Sequence, residues 1–181
     1  PIVDVLKHFL SIEDGDREFL VKKKIRDGLL NLGNDLESSI PPFQELLSVP
    51  VDDERFAQSE PRQRRGDIFE SIRDVMPRIS QDQPLILAID DLHWADKTSE
   101  GLIDYLIGSI ATAPILLVLL YRSEYTHQWS SKSYYRQIGL NQLGMESSAE
   151  LVSAMLEGGS IAPEIRDLII GRAAGNPLFM E

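Results

Sequence analysis

Apolar residues recur at helical spacing in the first half of the chain and gather into short continuous runs in the second. Ile2 to Leu10 reads as a short amphipathic helix. Val21, Ile25, Leu29 and Leu32 repeat every three or four residues, which predicts a helix capped by Asp14 or Asp16 and ended near Gly33 and Asn34. Ile40-Pro41-Pro42 reads as a break, followed by a short helical piece at Phe43 to Leu47. Val51 to Arg65 is polar and turn-rich, so a surface loop is expected there. Ile68, Ile72, Val75, Met76 and Ile79 then form another helical stripe, flanked by Phe69.

The pattern changes at Leu85. Leu85 to Ile89 is apolar throughout, follows Pro84 and ends at Asp90 and Asp91. Its length suits a strand buried on both faces, as in parallel sheets. Asp96 is placed to cap a helix with Leu102, Ile103, Leu106, Ile107 and Ile110 on one face. Pro114 opens a second buried strand, Ile115 to Tyr121, and Arg136 to Leu140 reads as a shorter third. Helices are expected at about Glu146 to Leu156 and Pro163 to Ala174, with Gly175-Asn176-Pro177 punctuating the end. Strand and helix alternating at this spacing predict right-handed crossovers and a parallel sheet, an α/β architecture with a helical N-terminal half.

Composition narrows the function classes. At 181 residues, 43% hydrophobic and 26% charged, the chain reads as one globular domain. No apolar run reaches the ~20 residues of a membrane span, so no membrane partner is expected. The start is not that of a signal peptide, and a first residue of Pro1 suggests a chain cut from something longer. Without cysteine there are no disulfides or thiolate metal sites, which fits a cytoplasmic compartment. A formal charge of -11 argues against direct nucleic acid binding. Lys22, Lys23, Lys24 and Arg26 read as a solvated helix face. Arg62, Arg64 and Arg65 read the same way, with a nucleotide-facing arginine as the alternative.

The segment Leu85 to Asp96, LILAIDDLHWAD, carries the strongest chemistry. A parallel strand delivers its C-terminal residues to the edge where ligands bind in open α/β sheets. Two carboxylates there need a positive or hydrogen-bonding partner. Mg²⁺ beside a nucleotide phosphate suits them, because it takes only one or two carboxylates and keeps its waters. A second acid then orients or deprotonates an attacking water. The plainer alternative is a strand end followed by a turn. His93 has no second histidine at ligand spacing, which argues against zinc. Trp94 reads as a packing anchor and Asp96 as a helix cap.

LILAIDDLHWAD closely resembles the Walker B segment of the STAND group, the signal-transduction ATPases with numerous domains. The likeness is to the modules attached to bacterial adenylate/guanylate cyclases and to large LuxR-type transcription regulators. LLVLLYRSEY, Leu116 to Tyr125, resembles the following strand with its sensor arginine, and GRAAGNPLFME, Gly171 to Glu181, the glycine-x-proline motif that closes the core. The resemblance covers roughly Gln83 to Glu181. It implies a P-loop NTPase-like parallel sheet flanked by helices, incomplete because its first two strands would precede Pro1. Within one partial domain, residues 1–82 would be the helical part, 83–145 the Walker B and sensor strands, and 146–181 the helical C-terminal part. It also implies ATP and Mg²⁺ as cofactors of a longer parent. Asp90 would hold the metal through water, Asp91 would be the catalytic acid, Arg122 would sense the terminal phosphate, and Asn176 with Pro177 would shape the adenine-side pocket.

The phosphate-cradling loop requires G-x-x-x-x-G-K-[ST], and none of the twelve glycines is followed by lysine. A module without that loop is expected to be inactive by itself. Its partners would be nucleotide and covalently attached effector domains in the parent, with self-association through exposed strand edges a further expectation. The function implied is a nucleotide-dependent switch of a signalling protein, a cyclase first and a LuxR-type regulator second. A non-catalytic protein-interaction domain is the alternative from a different class.

Overall fold

The computed structural model describes residues 2–156, 159 and 161–180. The chain divides into two units, Pro1–Tyr135 and Arg136–Glu181. In the first, helices α1 (Ile2–Phe9) and α2 (Glu18–Leu32) bury Leu6, Val21, Ile25 and Leu29 along their helical stripes. Helix α3 (Ile40–Leu46) adds Phe43, and α5 (Pro61–Asp82) adds Ile72, Val75 and Met76. One hydrophobic core joins these residues to Leu87 and Ile89 of strand β1 and to Ile103, Leu106 and Ile107 of the helix that follows it.

Several local expectations are corrected. Pro41 and Pro42 begin α3 instead of breaking the chain, since the first helical turn has no use for their missing N–H groups. The Val51 to Arg65 stretch holds helix α4 (Glu54–Gln58), where Asp53 accepts the Phe56 N–H, and the start of α5 at Pro61. Capping chemistry outweighs the polar composition there. The N-cap of α2 is Arg17, with no side-chain cap; the Asp16 carboxylate binds the Glu13 N–H and the Lys24 ammonium instead.

Strands β1 (Leu85–Ile89) and β2 (Ile115–Leu119) pair in parallel, Leu85 opposite Ile115 and Ile89 opposite Leu119. Helix α6 (Lys97–Ser109) makes the crossover, its N-terminus capped by Asp96. The broader fold expectation is overturned. Among the described residues the sheet has two strands and the structure is mostly helical, so a P-loop NTPase-like sheet flanked by helices is not formed. Arg136 to Leu140 is not a strand, and all five residues are exposed. With only Ile138 and Leu140 apolar around Gly139, the segment has too little to bury to hold an extended edge. Nor are the strands buried on both faces: Ile86 is 67% and Leu116 58% exposed.

In the second unit, α7 (Met145–Met155) and α8 (Pro163–Ala173) pack through Val152, Ile170 and Ala173, with Met180 from the final turn. Gly175 has a φ of 80°, and its carbonyl accepts the Leu143 N–H at 2.8 Å. A side chain there would strike the Leu143 backbone, so both conformation and space require glycine.

Candidate functional site

Parallel pairing puts the C-terminal ends of β1 and β2 side by side. Leu120 N–H donates to the Ile89 carbonyl at 2.9 Å, and Leu92 N–H returns to the Leu120 carbonyl at 3.0 Å. These two bonds fix the turn carrying Asp90 and Asp91 beside the segment carrying Tyr121 and Arg122. Buried Leu92 anchors the turn from within the core.

Asp90 Oδ1 accepts the Asp91 N–H at 2.8 Å. Among the described residues its Oδ2 makes no hydrogen bond, so one oxygen remains free to meet a cation or one of its waters. That suits a hydrated Mg²⁺ better than a closed metal site. No group of three or more metal-ligating side chains occurs among the described residues. Asp91 sits in the left-handed region, φ 51° and ψ 39°, a conformation rare for residues other than glycine and more accessible to Asp and Asn. Its carboxylate is exposed. Such backbone conformations concentrate where a side chain must be aimed.

His93 follows in the short helical turn Leu92–Trp94. Both of its ring nitrogens are shut off from solvent, neither has a hydrogen-bond partner among the described residues, and Nε2 lies 3.8 Å from Asp91 Oδ1. An imidazole carries at least one N–H in any state, and the nearest carboxylate for it is that of Asp91. Trp94 is not the packing anchor its type suggested. It is 75% exposed, because the turn points it outward while Leu92 takes the buried place.

Asp96 accepts the Ser99 N–H and the Ser99 hydroxyl, each at 3.0 Å, and the Thr98 N–H at 2.7 Å, and those bonds hold its carboxyl below the ordinary range. Arg122 is exposed, three residues beyond the end of β2. The segment around it is held by an aromatic cluster that sequence reasoning missed. Tyr121 Oη lies 2.8 Å from His127 Nε2 and 2.9 Å from Tyr135 Oη. His127 stacks on Trp129 at 4.7 Å between ring centroids. Tyr125 donates to Glu100 Oε1 at 3.0 Å, and Trp129 Nε1 donates to Asp104, so α6 receives both. Burial first, then the bonds to Tyr135 and Glu100, pushes Tyr121 and Tyr125 up to about 12. The only signal in the sequence is the density of aromatic residues between 121 and 135.

Asp90, Asp91 and Arg122 thus share the C-terminal end of the strand pair. Asn176 and Pro177 belong to the second unit, where Asn176 Oδ1 accepts the Leu178 N–H at 3.1 Å and caps the turn Pro177–Phe179.

No family model matches the chain, and no solved structure matches it. An uncharacterized protein of Rhizobium meliloti (strain 1021) is 24% identical over 127 residues, covering 69% of this chain. The match takes in only 12% of that relative's length. Among the described residues no helix is long and apolar enough to cross a membrane.

Proposed function

We propose that this chain is part of an ATP-binding regulatory switch within a multidomain cytoplasmic signalling protein, an adenylate/guanylate cyclase of class III being the preferred parent. The observation that carries it is the junction of β1 and β2. Two carboxylates, one of them in a left-handed conformation, and an exposed arginine occupy the same end of a parallel strand pair. Asp90 is the magnesium-side acid, Asp91 the acid that orients water, and Arg122 the group that meets the terminal phosphate. The relative, in which the matching stretch is a small part of a long chain, supports a module within a larger protein.

The test uses a longer parent protein that supplies a phosphate-binding loop. Asp91→Asn should slow ATP hydrolysis roughly 10²–10⁴-fold while Mg²⁺-dependent ATP binding persists. Asp90→Asn should weaken the magnesium dependence itself. Hydrolysis unchanged in Asp91→Asn removes the catalytic assignment. A second reading, a protein-interaction domain, draws on the exposed apolar row of the sheet, and absence of ATP binding by the parent would favour it.

A further inference from the structure

One groove on the first unit has the opposite sign to the rest of the molecule. It has a volume of about 720 Å³, and Arg17, Phe19, Lys22, Lys23, Arg26 and Asp52 line it. The carboxylates within it are already engaged. Lys22 Nζ donates to Asp52 Oδ1 at 2.7 Å and lies 3.2 Å from Glu18 Oε1. Gln44, only 2% exposed, donates to Asp52 Oδ2 at 2.8 Å and accepts the Asp52 N–H at 3.0 Å, which fixes Asp52 in place. The Lys22 bond, followed by the Gln44 bond, holds the Asp52 carboxyl below its ordinary range, with Arg26 adding its field.

Among the described residues the side chains of Arg17, Lys23 and Arg26 make no hydrogen bond or ion pair. Four cations against two carboxylates leave the groove two positive charges in excess on a chain of -11. Phe19, 79% exposed, puts an aromatic ring beside these charges. A solvated helix face explains lysines directed at water. It does not explain an exposed phenylalanine in a groove whose acids are neutralised and whose remaining cations are unpaired.

We propose that this groove docks an acidic segment of a partner polypeptide, with carboxylates against Arg17, Lys23 and Arg26 and an apolar side chain against Phe19. Charge decides between ligand classes. A short peptide lies within the groove's own field, because exposed charges beyond the ~10 Å Debye length are screened at about 0.1 M salt. An extended polyanion or an anionic membrane would also face the acidic remainder of the surface and be repelled.

The probe is a short fluorescein-labelled peptide of Glu pairs separated by Leu, titrated with the full chain by fluorescence anisotropy. Binding is expected, and added salt should weaken it. The triple variant Arg17→Glu, Lys23→Glu, Arg26→Glu should bind roughly 10-fold or more weakly, and Phe19→Ser several-fold more weakly. All four residues are exposed, so circular dichroism should be unchanged and loss of fold is separable from loss of binding. A wild-type chain that does not bind the peptide, or variants that bind it equally well, would overturn the proposal. So would tighter binding of duplex DNA or of phosphatidylserine vesicles.

Discussion

Tyr121 and Tyr125 hold their protons beyond the ordinary tyrosine value of 10, to about 12, because burial disfavours the phenolate. Between those two values the folded chain binds more protons than the unfolded one. Their contribution to stability is therefore full below pH 10 and is lost as pH rises through 12. Urea midpoints taken from about pH 8 to about pH 12 should fall steeply over the upper part of that range, and Tyr125→Phe should flatten part of the fall. A flat profile would show that these hydroxyls are not held as the structure has them. At this scale the sequence was legible where one residue type has one use. Asp96 caps α6 as its position before an apolar stripe predicts, and Asp90 and Asp91 end β1. It was misleading for Trp94, whose large apolar ring argues for burial while the turn geometry directs it outward. The left-handed Asp91 was not legible, since nothing in the run of letters encodes a positive φ at an aspartate.

Periodicity identified the elements whose burial is one-sided. The stripes of α2, α5 and α6 all lie in the core, and the β1–α6–β2 unit follows from two apolar runs joined by an amphipathic helix. The sheet's extent was not legible, because the number of strands depends on partners outside any one segment. The register leaves the backbone groups of Ile86 and Ala88 on one outer edge, and of Leu117 and Leu119 on the other, directed away from the neighbouring strand. Neither strand contains a charge or a proline to guard those edges. Ile86, Leu116, Val118 and Leu120 form an exposed apolar row. Self-association at high protein concentration should follow, strengthened by salt because both copies carry -11. Leu116→Lys combined with Val118→Lys should return a monomer in light scattering without altering the helical spectrum. A wild-type chain that stays strictly monomeric would count against pairing through these edges.

The molecule as a whole is two units, and the stretch from Arg136 to Leu140 that begins the second is exposed throughout. Limited digestion should cut there first and yield one large and one small piece, each read by mass spectrometry. Cleavage first within α5 or α6 would show that the division lies elsewhere. The parallel pairing also has a consequence for synthesis. Leu85 of β1 meets Ile115, thirty positions later in the chain, so β1 leaves the ribosome well before its partner exists. At about 5–20 residues per second the wait is roughly 2–6 s, far longer than the microseconds in which a helix forms. For that interval Leu85 to Ile89 is an unpaired apolar ribbon in a crowded cell, open to chaperones and to neighbouring nascent chains. Codon changes that slow translation across α6 should lengthen the interval and lower the soluble yield, although the finished protein would be identical.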